Sequence, residues 1–121
     1  MAKTLMQQIV AMVVEKVAAL RVRPPLTGDP AADYYSGAIK AHALDHWQGY
    51  MCEIFLMPEK RIVVVTDEST HHRFWPCSVE EVLAGRTYGI HFDDSQLDER
   101  ESFERRIRNE GGNSPSSGLG D

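Results

Sequence analysis

The residues best placed to do chemistry lie in the run His42-Ala43-Leu44-Asp45-His46. Two imidazoles four positions apart share one face of a helix. There they can hold a single divalent metal ion, and zinc suits such a pair. A third ligand would have to come from elsewhere: His71, His72, Cys77, His91 or Asp93. The intervening Ala-Leu-Asp lacks the glutamate that makes a zinc-peptidase helix specific, so the spacing alone is a weak motif. The plainer reading is that both rings border a core stripe and hydrogen-bond locally, with no cofactor required.

Nucleophilic catalysis by Cys77 or Cys52 with a nearby histidine is the next candidate, and Cys77 is the better placed. It precedes Ser78 at an expected helix start, where the dipole would lower a thiol pKa. Its nearest histidines, His71 and His72, precede it in the chain across Pro76, and the sequence around known catalytic cysteines is missing. An ordinary buried cysteine is the simpler expectation. Tyr35, Trp47, Tyr50, Phe74 and Trp75 supply aromatic surface of the kind that anchors protein interfaces, and in so small a domain more often of the kind that fills the core. Among these, Trp75 between Arg73 and Pro76 is the one expected to be partly exposed, and Arg73, Phe74, Trp75, Tyr35 and Trp47 form the candidate interaction set. From Asp93 to Glu104 six acids stand against one arginine. Such a helix can imitate a phosphate backbone, although Arg105, Arg106 and Arg108 follow and dilute the field. Phosphate-binding glycine loops, nucleophile elbows, paired-cysteine zinc motifs and dinucleotide fingerprints are all missing from the sequence.

These residues are positioned by a simple succession of elements. Thr4 and Gln7 form a capping-box pattern opening a helix from about Leu5 to Arg21. Its apolar residues Leu5, Met6, Ile9, Val10, Met12, Val13, Val14, Val17 and Leu20 fill an arc of roughly 200°, about twice what a one-sided surface helix needs. Such a helix calls for burial on more than one side, inside the domain or against a second copy of the chain. Pro24-Pro25 ends it. Asp29-Pro30 is a good N-cap and first turn for a second helix reaching about Gln48, with Gly49 as its stop. Its stripe is Tyr35, Ile39, Ala43 and Trp47, with His42 and His46 along one edge.

Tyr50–Met57 and Arg61–Thr66 read as paired strands joined by Pro58-Glu59-Lys60, and Ile62-Val63-Val64-Val65 is apolar on both faces, as a doubly covered strand is. His71–Trp75 is a third strand closed by Pro76. Ser78 with Glu81 caps a short helix that Gly85 ends. Thr87–Phe92 is a further strand or an extended segment. Ser95 with Asp98 caps a last helix to about Asn109, acidic early and basic late, with only Leu97, Phe103 and Ile107 to dock it weakly. Residues 111–121 are Gly/Ser-rich and expected to be disordered.

The fold expected is therefore α+β: two N-terminal helices packed on a small antiparallel sheet, with a short helix and a C-terminal helix, in one domain over residues 1–110. The 121 residues, 42% hydrophobic and 26% charged, suit one packed domain. Two cysteines make no disulfide framework and point to a reducing, cytoplasmic setting. Gln7, Gln8, Glu15 and Lys16 interrupt the first apolar run, so neither a secretion signal nor a membrane span is expected. A net charge of −5 argues against direct nucleic-acid binding. The function that fits is a non-enzymatic protein-binding or regulatory protein, a homodimer, acting through an apolar and aromatic surface. A metal-binding protein or metalloenzyme using His42 and His46, and an acidic nucleic-acid mimic, are the alternatives.

Overall fold

The structure is a computed structural model describing residues 4–21 and 24–111, with side chains described for 4–15 and 24–111. The expected disordered tail lies, from residue 112 on, outside the described residues. The chain divides into two compact units, Met1–Ala41 and His42–Asp121.

In the first unit, α1 (Leu5–Arg21) forms where the apolar period places it. The capping box is made: the Thr4 amide donates to Gln7 Oε1 at 3.0 Å and the Gln7 amide to Thr4 Oγ1 at 3.1 Å. No described helix is long and apolar enough to cross a membrane. The Pro24–Gly28 connector leads to α2 (Pro30–Tyr35), with Asp29 as N-cap and Pro30 at the first helical position. The connector is organised by Asp33, a buried carboxylate that sequence reasoning passed over. Asp33 accepts from the Thr27 amide (2.9 Å), the Thr27 hydroxyl (2.7 Å) and the Gly28 amide (3.1 Å). A carboxylate is tolerated out of water only when its oxygens are satisfied in this way.

The second helix does not run to Gln48. It stops at Tyr35, and Ser36-Gly37 breaks the chain direction, Gly37 taking a φ of 86° that side-chain-bearing residues avoid. A single short helix, α3 (Ala38–His42), follows. Residues expected to continue it instead form the strand β1 (Asp45–Gly49). The spacing Tyr35, Ile39, Ala43, Trp47 suits a helix. The same residues beyond 44 also alternate, and the ladder offered by the following segment decides between the two.

That segment is β2 (Cys52–Met57), continued by β3 (Arg61–Asp67) and β4 (His72–Ser78) in an antiparallel meander ordered β1-β2-β3-β4. Tyr50 and Met51 are the two-residue turn between β1 and β2 rather than strand, Met51 sitting at a φ of 54°. β4 continues through Pro76, which lies opposite Val63. β4 is an edge strand, where one row of backbone groups has no ladder partner and a residue without an N–H is tolerated.

The pairing places Trp47, Ile54, Val64 and Trp75 in one row across the sheet and Leu56, Ile62 and Cys77 in the next, all on one face. On this face the core closes with Val79 of α4 (Val79–Leu83) and with Phe103 and Ile107 of α5 (Leu97–Gly111). The helices closing the core on this face are thus C-terminal ones, α4 and α5. Phe55, Val63 and Val65 on the other face are also buried, as the all-apolar β3 run implies.

Ser78 and Glu81 make the expected capping box of α4, and Gly85 follows at a φ of 92°. Residues 87–92 form no strand. They run irregularly across the β1–β2 turn, where the Tyr50 amide and the Cys52 thiol both donate to the His91 carbonyl, at 2.6 and 3.6 Å. A 3-10 turn over Asp94–Gln96 introduces α5, capped by Asp93 with Gln96 rather than by Ser95.

Candidate functional site

The two histidines that opened the sequence reading do not share a helix. His42 is the last residue of α3, and His46 stands in β1. His46 turns to the sheet face away from α5. Its ring stacks on Phe55 with centroids 4.5 Å apart and planes at 16°, and its Nε2 lies 3.2 Å from Glu53 Oε2. Asp45, between the two histidines in sequence, points the other way and pairs with Arg106 Nη1 at 3.2 Å. Strand geometry sends neighbouring residues to opposite faces, so the chelating arrangement on a helix is not formed. His71 bonds Thr70 and His72 lies 3.8 Å from Asp67. Among the described residues no group of three His, Cys, Asp or Glu side chains converges as metal ligands would.

Cys77 lacks the lowered acidity that the catalytic reading would need. It faces the core side of the sheet, where burial and, second, the Glu81 carboxylate push its thiol up to about 11. Both causes disfavour the thiolate, and they outweigh any help from the nearby helix start. Glu81 is itself held below the usual carboxylate range, first by the Tyr88 hydroxyl that donates to Oε2 and next by the Ser78 amide on Oε1. This network ties the start of α4 to the 86–89 turn and leaves Glu81 no oxygen idle for catalysis.

The aromatic candidates separate by burial. Trp47 is a core residue at 2% exposure: its indole nitrogen donates to Ser102 Oγ at 3.2 Å and its ring meets Phe103 edge-on at 5.1 Å. It cannot serve as a surface anchor in this conformation. Phe74 and Trp75 are half-buried on opposite faces of β4, with Arg73 exposed. The Arg73 guanidinium lies over the Trp75 ring at 4.7 Å while the indole donates to Thr66 Oγ1 at 3.2 Å, and the half-buried Trp75 packs against the core. Tyr35 is exposed and packs edge-on against Tyr34. Tyr35 belongs to the first unit and Arg73–Trp75 to the second.

Among the described residues, α1 carries seven of the exposed large apolar side chains. Leu5, Met6, Ile9, Val10, Met12, Val13 and Val14 are all 44–73% exposed. Leu5, Ile9 and Met12 make one row at i, i+4, i+7 spacing, and Met6, Val10 and Val13 make a second row beside it. The breadth of the apolar arc was legible in the sequence, and its exposure was not. The acids from Asp93 to Glu104 are spent partly on structure, Asp93 as a cap and Asp98 and Glu99 in the first turn of α5.

No protein-family model matches the chain, and neither the curated proteins nor the solved structures searched contain a match to it.

Proposed function

We infer that this is a non-enzymatic protein-binding protein whose interaction element is α1, and that its first partner is a second copy of the same chain. One observation carries the reading: seven large apolar side chains of a single helix stand 44–73% exposed. Together they expose on the order of 700 Å² per chain, above the ~300–600 Å² of the largest patch on ordinary monomers. A pair of copies apposed through α1 would bury up to roughly 1,400 Å², within the ~1,200–2,000 Å² of specific interfaces. Arg73 and Trp75 supply a separate aromatic contact of the kind enriched at interface centres.

Size-exclusion chromatography with light scattering tests this directly. The unaltered chain should run as a dimer at about 100 µM, a concentration at which micromolar association is complete. The triple variant Met6→Ser/Val10→Ser/Val13→Ser should run as a monomer with an unchanged circular dichroism spectrum. A monomeric unaltered chain, or a triple variant that still dimerises, overturns the proposal.

A further inference from the structure

We propose that the groove between α4, the 86–93 segment and α5 binds a small molecule with an apolar body and a carboxylate head. The groove lies wholly within the second unit and encloses about 440 Å³. That is within the ~300–1,000 Å³ of small-molecule sites. Its inner surface is apolar: Leu83, Ile90, Phe92, Phe103 and Ile107 contribute to the lining. Its mouth is not. Arg100, Glu104 and Arg108 line it from successive turns of α5, two cations against one carboxylate.

The arginines are the informative part. Arg106, one face over, is held between Asp45 and Glu110, and Arg86 reaches Glu81. Arg100 and Arg108 are exposed, and among the described residues neither makes an ion pair or a hydrogen bond. They stand eight residues apart, about 12 Å along the helix axis, with Glu104 midway. A ligand head therefore meets a guanidinium near either end of the mouth, and a planar fork of donors suits a carboxylate. The apolar body lies along Leu83, Ile90 and Phe92, which are exposed or half-buried along the groove, and displaces water from them. A cation would face two like charges against one opposite charge, and a neutral chain would leave the guanidiniums unused.

Decanoate is a suitable probe, followed by amide shifts in a ¹⁵N-labelled NMR titration, with 1-decanol as the neutral chain of equal length. Saturable shifts should fall in residues 82–92 and 100–108. The Arg100→Gln/Arg108→Gln variant should bind decanoate at least tenfold more weakly, and so should the unaltered chain with decanol. The α1 triple variant, which tests the dimer, should bind decanoate as the unaltered chain does, so the two proposals fail separately. Silence in both segments up to millimolar decanoate overturns this one. So does equal affinity for decanol, an unaffected arginine variant, or shifts gathered in residues 5–15 instead.

Discussion

The two long helices of this protein reverse what their compositions suggest. α1 is rich in apolar residues, and those described stand exposed to water. α5 is mostly charged, with only Leu97, Phe103 and Ile107 as large apolar residues, and it is docked: Phe103 is 5% and Ile107 1% exposed. The difference lies in the surface each helix meets. Phe103 and Ile107 are four apart on one face, and the sheet offers Trp47, Ile54 and Val64 to receive them. Asp45 then holds Arg106 beside that contact. Composition led to an expectation of weak docking for α5, and the structure buries both Phe103 and Ile107.

The largest effect that could break this contrast is a pair of truncations. Ile107→Ala should destabilise the fold by about 2–5 kcal/mol through lost burial and an unfilled cavity. Ile9→Ala in dilute, monomeric protein should stay within about 0.5 kcal/mol. Urea unfolding with unchanged slope measures both, and equal costs would erase the distinction.

The next effect concerns the end of α5. A Cβ on Gly111 would run into Leu83 Cδ1 and come within 2.7 Å of Val79 Cγ1. Leu83 can turn aside, but Val79 is fully buried and branched at Cβ. Gly111→Ala should therefore cost about 1–3 kcal/mol, the range for overpacking, read as a lowered thermal midpoint. A neutral result would mean that the α4–α5 contact is looser than the core it closes.

The smallest effect is a pH dependence at the other end of α4. Glu81 in the folded chain titrates below its ordinary range because Tyr88 and Ser78 donate to its ionised form. A depressed folded pKa contributes stability that is complete above the unfolded value and is lost as pH falls through the folded one. Glu81→Gln should flatten that part of the acid unfolding profile while leaving the profile above pH 6 parallel to the unaltered chain. An unchanged acid limb would show that the Tyr88 contact adds nothing beyond the cap.

Local signals were read well because they act within a few residues. Thr4/Gln7 and Ser78/Glu81 announced their helix starts, and Asp29-Pro30 announced a third. The β-branched run Ile62–Val65 marked β3. Residues 43–49 could not be assigned locally, since helix and strand spacing both fit them. Pairing with Cys52–Met57 decided the matter, and in doing so it buried Trp47 and sent His46 and Asp45 to opposite faces. The histidine pair, a proposition about one helix, could not survive that change of period.

By itself the sequence determined an α+β chain with a broad apolar first helix, a β-branched central strand and a polar last helix, because propensity, capping and periodicity are properties of neighbouring residues. Only the tertiary structure decided which of those surfaces found a partner. Burial depends on contacts between segments far apart in the chain, such as Phe103 on Trp47 or Arg106 on Asp45, and no local pattern encodes them.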